Sequence, residues 1–325
     1  MSKQNIVVIG GGTGIYPVVT ALRELGEFCT CVINTSDSGG STGRIRDEFG
    51  FPPVGDLRQS LAALADPESQ AEIRDLLLYR FSKGVGLNGH NLGNLLLTAM
   101  QDLTGSTTKA LEMAQSVFRI EGRVVPVSED AYDLHVTYAD GQKLRGEHEL
   151  DEPNSPHQPV VELTLDPIPT LNPELPKILS DATHIIIGPG DYYASLQSVL
   201  LVPGMKEALK NSSAKIAFFV NIMTRATQTI HMTASDHVRG IEDSVGKRLD
   251  HIFINTGPID KDELEHYAAA DERPVKHDLM EDNRVLEDRF VAEAELQHGA
   301  DVVARSLLRH NSDVVKKVLQ STFSL

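Results

Sequence analysis

The chain has 325 residues, 41% of them hydrophobic and 23% charged, an ordinary globular balance that excludes a disordered chain. At about 150 residues per domain, that length suits two domains or one large α/β domain with an insertion. Forty-six acids against 30 bases give a net charge of −16, aromatics are 5% and Trp is absent, which argues against nucleic acid and anionic membranes as partners but still allows a small anion held by local bases and helix N-termini.

The first element is Ile6-Val7-Val8-Ile9, a continuous apolar run suited to a strand buried on both faces. Its four residues are too few for the core of a signal peptide, and no apolar run reaches the roughly 18 residues of a membrane helix. A cytoplasmic protein is expected. Gly10-Gly11-Gly12-Thr13-Gly14 follows, then Val18, Val19, Leu22 and Leu25 at helical spacing, ended by Gly26. A second apolar run, 28–34, contains both cysteines of the chain, Cys29 and Cys31, on one face of the strand. Two cysteines exclude a disulfide framework, and this pair reads as core packing. Strand, glycine loop, helix and strand together open a Rossmann-like fold.

Asp56 then stands as a candidate N-cap before Leu57, Leu61 and Leu64, with a further helix around 76–80. Gly89-His90-Asn91-Leu92-Gly93-Asn94 opens a helix whose apolar face is Leu92, Leu95, Leu96, Ala99 and Leu103. Residues 118–170 change in texture: short strands are expected at 124–127, 134–138, 143–148 and 160–165, with a hairpin signal at Asp140-Gly141. We read this stretch as a small β-rich insertion within one α/β domain, 1–325. Strands are expected again at 184–187, 216–220 and 252–255. Residues 284–296 suit either a strand pair or a helix, and 301–319 reads as an amphipathic helix with a break near Asn311. The fold class is α/β, a Rossmann-like three-layer parallel sheet with a small β-rich insertion.

Several of these strands end in polar or glycine-rich loops. Gly11, Gly12, Thr13 and Gly14 place backbone amides where they can approach a phosphate. The third position of the G-x-G-x-x-G fingerprint falls on Ile15, however, and no Walker lysine follows, so a tight turn is the alternative. The second loop offers Asn34, Asp37, Ser38, Gly39, Gly40 and Arg44. Asp37 suits a ribose hydroxyl or a magnesium ion, the alternative being an exposed mobile loop. Arg58 is a phosphate clamp or a solvated base. His90, Asn91 and Asn94 stand where a helix start favours an anion, with a structural histidine as the alternative. Gly188-Pro189-Gly190-Asp191, Asn221-Ile222-Met223-Thr224 and Asn255-Thr256-Gly257-Pro258 repeat the pattern, and such convergence marks the carboxyl edge of a sheet as the ligand crevice. No H-E-x-x-H metal motif or G-x-S-x-G nucleophile elbow occurs.

Taken in order, the loops 10–14, 34–44, 52–58, 89–94, 188–190 and 221–224 resemble those of the YvcK/CofD-like family, and their wording is nearer the YvcK branch. The resemblance implies a Rossmann-like fold with a β-rich insertion. For the CofD branch it implies a magnesium-dependent 2-phospho-L-lactate transferase acting on a nucleoside-diphosphate-linked donor, in which Asp37 and Asp56 would hold the metal and Arg44 and Arg58 the phosphates. For the YvcK branch, called gluconeogenesis factor, it implies binding of a UDP-sugar such as UDP-N-acetylglucosamine and a link to carbon metabolism and cell shape. In that branch a Tyr and an Arg near the C-terminus contribute to the ligand, and Tyr267 and Arg309 match them. Three positions depart from the family's wording: Asn311 where it has Asp, Asp191 where it has a small hydroxyl residue, and Arg225-Ala226-Thr227-Gln228 where it has a Gln-Pro-Gly-Glu-like run. A nucleotide-sugar-binding regulator and a phospho-group transferase both need a phosphate cradle, so the loops leave both open, and a homo-oligomer is open as well.

Overall fold

A strand with apolar residues on both faces is stable only between two layers of helices. The computed structural model, which describes residues 4–36, 48–150, 155–293 and 308–325, has this arrangement. Twelve strands occur among the described residues. They are β1 Ile6–Gly10, β2 Cys29–Ile33, β3 Arg123–Pro126, β4 Asp133–Tyr138, β5 Lys143–Arg145, β6 Val160–Asp166, β7 His184–Ile187, β8 Lys215–Phe219, β9 His251–Asn255, β10 Val285–Asp288, β11 Val291–Glu293 and β12 Leu308–His310. Seven form one sheet in the order β10-β9-β8-β7-β1-β2-β3, with every neighbouring pair parallel.

Side-chain alternation along these strands builds two cores. Val7, Ile9, Ile185, Ile187, Ile216 and Phe218 face one side, with Leu175 and Leu179 of the helix Leu175–Asp181 and Ile241 and Val245 of the helix Ala234–Val245. Ile6, Val8, Cys31, Ile186, Ala217 and Phe219 face the other. Helices α1 Tyr16–Glu24, α2 Gly55–Leu64, α3 Ala71–Leu78, α4 Leu92–Thr104, α5 Thr107–Phe118 and the last helix, Ser312–Phe323, cover that second side. Cys29 and Cys31 are both buried there as free thiols, in keeping with core packing. Among the described residues no helix is long and apolar enough to cross a membrane.

Three expectations change, and one left open is settled. The strand expected at 124–127, within the insertion, is β3, and it pairs in parallel with β2 at the edge of the main sheet. The antiparallel sheet β5-β4-β6 is what the insertion contributes, and Leu134, Val136 and Tyr138 of β4 join the first core. Residues 143–148 divide into β5 and a short helix, Gly146–Leu150. The 284–296 stretch is resolved as strands, since Val285–Asp288 finds β9 and Val291–Glu293 finds β12. The terminal helix starts only at Ser312, with Asn311 as its N-cap accepting the amides of Asp313 and Val314. Before that cap, Leu308–His310 is extended. Residues 294–296 and 301–307 of those expectations lie outside the described residues.

Two close packings carry predictions. A Cβ on Gly14 would stand 2.6 Å from the Gly190 Cα and 2.6 Å from the Pro189 carbonyl oxygen, both main-chain atoms. Gly14→Ala should therefore destabilise the protein by about 1–3 kcal/mol, read as a lower urea midpoint at unchanged slope. An unchanged midpoint would mean that the two loops part freely. His310 is 7% exposed between Phe219 and Phe290, with ring centroids 5.6 and 6.0 Å away, and burial pushes its pKa down to about 4 while a bond to the Val220 backbone opposes the shift. In the unfolded chain the imidazole titrates near about 6.5. Its contribution to stability is thus fully present above that pH and is lost as pH falls toward 4. Buried His237, also shifted down, adds to the same slope. The thermal midpoint should fall between about pH 6.5 and 4, and less steeply in His310→Phe.

Candidate functional site

The strand order turns between β1 and β7, the first continuing toward β2 and the second toward β8. In open α/β sheets the ligand crevice lies at such a point, beyond the carboxyl ends of the strands. The loop after β1 is packed from three directions there. A Cβ on Gly11 would meet Ser195 Oγ at 2.4 Å, one on Gly12 would meet Gln59 Cβ at 2.6 Å, and Gly14 lies on Gly190. The glycines are required by protein neighbours, as a tight turn would require. Among the described residues, the amides of Gly12, Thr13 and Gly14 donate to no protein acceptor. The loop therefore keeps both features, a turn that only glycine fits and a run of available donors.

Asp56 does not cap its helix. Val54 occupies the cap position without a side-chain bond, and Asp56 sits in the first turn of α2, where a carboxylate suits the helix dipole. Its two oxygens stand 2.8 Å from where Cβ atoms of Gly11 and Gly12 would be. Arg58, two residues on, is buried and turns to α3, donating to the Leu77 carbonyl at 3.2 Å. A cation at that helix C-terminus is favourable. Gly93 fits the same place, because a Cβ there would meet Leu77 O at 2.5 Å and Arg58 Cδ at 2.8 Å. Asn91 caps α4 by accepting the Asn94 amide at 3.1 Å, and the Asn94 carbonyl accepts from the Thr98 hydroxyl at 2.8 Å. His90 is half-buried just before this cap, its carbonyl accepting the Phe81 amide at 2.9 Å. Asp37, Ser38, Gly39, Gly40 and Arg44 lie outside the described residues. The loop they continue begins with buried Asn34, which donates through Nδ2 to Ala194 O at 3.2 Å and accepts the Ser36 amide at 3.0 Å.

The second glycine loop, Gly188-Pro189-Gly190-Asp191, leads straight into a π-helix, Tyr192–Gln197. Single-turn π segments of this kind recur at functional sites. Its first amides are already used: Gln228 Oε1 accepts from Tyr193 at 3.2 Å and from Ala194 at 3.3 Å. Asn221 donates to Gly190 O at 2.8 Å, tying the loop after β8 to the one after β7. Arg225, on that same 220s loop, stands 4.0 Å from Asp191. From the small sheet, Tyr138 donates its hydroxyl to Thr227 O at 2.7 Å, and burial pushes its pKa up to about 12. Every strand end near the switch point is thus bound to its neighbour.

Tyr267 and Arg309 arrive together from the C-terminal part of the chain. The Tyr267 hydroxyl accepts the Leu308 amide at 2.8 Å, which fixes the start of β12. The next residue, Arg309, donates through Nη1 to the Thr13 carbonyl at 3.2 Å. Burial lowers the pKa of its guanidinium, while Asp191 and Tyr267 act in the opposite direction. The site thus joins the first glycine loop, Asp56, the second glycine loop, Asn221, Arg225, Tyr267 and Arg309. Gln228 and Tyr138 were not among the expected site residues. Gln228 lies in the 225–228 run that departs from the family's wording, whereas Tyr138 shows in sequence only as an apolar strand residue.

Magnesium at nucleotide sites is commonly held by one or two carboxylates together with the ligand's phosphates. Among the described residues no group of three His, Cys, Asp or Glu side chains is placed to hold a metal ion. Asp56 stands at the first glycine loop, and Asp37 lies outside the described residues.

The family model described as 2-phospho-L-lactate transferase CofD matches residues 6–295. Gluconeogenesis factor of Bacillus subtilis is 34% identical over 324 residues, covering 99% of this chain and 97% of that protein. A putative gluconeogenesis factor of Thermotoga maritima is 36% identical over 291 residues, covering 89% and 90%. A crystal structure of a Bacillus halodurans protein superposes with a TM-score of 0.87 at 33% identity, covering 98% of this chain and 99% of that one. With a Rossmann-like sheet, a small antiparallel sheet beside it and these matches over nearly its whole length, the chain belongs to the CofD family and is similar to its gluconeogenesis-factor members.

Proposed function

We propose that the protein is a cytoplasmic factor of carbon metabolism and cell shape that binds a nucleotide-linked sugar, of the UDP-N-acetylglucosamine kind, at the carboxyl edge between β1 and β7. The observation that carries the reading is the Arg309 bond to Thr13 O, which brings a cation from β12 to the glycine loop at the switch point. A diphosphate needs a cation and a run of backbone donors converging on one place, and Arg309 beside Gly12–Gly14 supplies both. Tyr267 acts as a positioning residue, since its hydroxyl holds Leu308 and therefore the strand that carries Arg309. The names of the similar gluconeogenesis factors support the metabolic role.

Calorimetric titration with UDP-N-acetylglucosamine, GDP and NAD, each with and without magnesium, tests this. Selective binding of the UDP-sugar is expected, whereas equal affinity for all three nucleotides would overturn the assignment. Arg309→Ala should weaken that binding at least about tenfold, the loss of a hydrogen bond between charged groups. Tyr267→Phe should weaken it less, with circular dichroism unchanged for both. Wild-type affinity in Arg309→Ala would remove β12 from the site.

A second reading is favoured by the family model itself, which describes a phospho-group transferase, and by Asp56 beside Gly11 and Gly12. In it a nucleoside-diphosphate-linked donor binds with magnesium, the metal neutralising charge on the diphosphate. Asp37 and Asp56 are the carboxylates this reading assigns to the metal. It predicts that magnesium strengthens GDP binding and that Asp37→Ala removes the enhancement. Magnesium dependence that is the same in the variant counts against that role for Asp37.

A further inference from the structure

Asp191 is a carboxylate of the site that faces one of its cations, Arg225. Asp191 ends the second glycine loop, and its backbone is locked, because its carbonyl accepts the amides of Ser195 at 2.9 Å and Leu196 at 3.0 Å. Its side chain stands 4.0 Å from the Arg225 guanidinium, with 35% and 23% of the two side chains exposed. This pair lies at the rim, where an incoming ligand can reach it, and is not sealed in a core. Asp191 also contributes to the charge balance of Arg309, the residue that donates to Thr13 O. The loop ends after β7 and β8 therefore meet at the Asp191 carboxylate, and the cation carried by β12 feels its charge.

We propose that Asp191 is a resident counter-anion that pairs with Arg225 and tunes how strongly the site takes a ligand phosphate. The inference rests on the reading above, that phosphates bind at Gly12–Gly14. Gly190, the neighbour of Asp191, is in contact with Gly14, so a phosphate in that loop lies close to the carboxylate. Like charges brought together in a site of reduced dielectric repel one another. The ligand must displace Asp191 from Arg225 and take over its charge partner. A neutral nucleoside makes no such demand. Affinity should therefore depend on ligand charge through Asp191, which weakens the site most for the most highly charged ligands and leaves a neutral nucleoside unaffected.

The test uses the full chain and calorimetry in metal-free buffer, with uridine, UMP, UDP and inorganic diphosphate as probes. Asp191→Asn keeps the shape and removes the charge, and Asp191→Ser serves as a second variant should the first fold poorly. Both should tighten UDP and inorganic diphosphate by roughly tenfold, UMP less and uridine not at all. Arg225→Gln should weaken the phosphates, and combining it with Asp191→Asn should cancel most of the gain, showing that the two residues act as a pair. Unchanged or weaker binding of inorganic diphosphate by both Asp191 variants overturns the proposal. If diphosphate tightens as expected while UDP is held no better than diphosphate, the counter-anion stands and the nucleotide reading falls. If wild type binds UDP and the Asp191 variants bind it equally, the nucleotide reading stands and the counter-anion falls. Failure of every probe with every protein overturns both.

Discussion

The contact of Gly14 with Gly190 is the constraint on which the rest of this edge depends. Two loops from neighbouring parallel strands approach until no Cβ fits between them, with main-chain atoms 2.6 Å from the place a Cβ would take. That approach is possible because β1 and β7 are adjacent and in parallel register, Ile9 beside Ile187. From it follows the position of everything attached to either loop. Asp191 comes next to the first glycine loop, Ser195 comes under Gly11, and Asn221 secures Gly190 from the other side.

Charge is organised on a different scale from packing. The chain carries a net charge of −16, yet at the switch point Arg225 stands 4.0 Å from Asp191 and Arg309 donates to the Thr13 carbonyl. An acidic protein repels anions over most of its surface and can still attract them where bases and unpaired amides converge. The bases come from two distant parts of the chain, the 220s loop and β12. A π-helix stands where a phosphate-binding helix start might be looked for, but its leading amides are held by Gln228. Among the described residues, the first loop supplies available donors in the amides of Gly12, Thr13 and Gly14.

The C-terminal segment completes the site and depends on long-range packing. Arg309 and Thr13 are 296 positions apart. Arg309 is held by three features: the Tyr267 hydroxyl on Leu308, the antiparallel pairing of β12 with β11, and the aromatic setting of His310. Beyond it, Asn311 caps a helix whose Val315, Leu319 and Phe323 are buried in the second core. The site is therefore coupled to the docking of the last helix.

The sequence by itself determined the strands, because runs such as Ile6–Gly10 and Lys215–Phe219 are apolar enough to demand burial on both faces. It also determined where the loops needed glycine, and the family to which those loops belong. Tertiary structure decided what local pattern leaves open. Val124 and Val125 read equally well as insertion or main sheet until β2 supplies the partner. Leu308–His310 lies inside a helical pattern, and only pairing with β11 makes it extended. Arg58 and Arg309 are both single bases beside apolar residues, and their sequences do not distinguish them. The fold sets the first against the Leu77 carbonyl between two helices and brings the second to Thr13 in the first glycine loop. A side chain's role is set by what the fold places within a few ångströms of it, and that depends on contacts far apart in the chain.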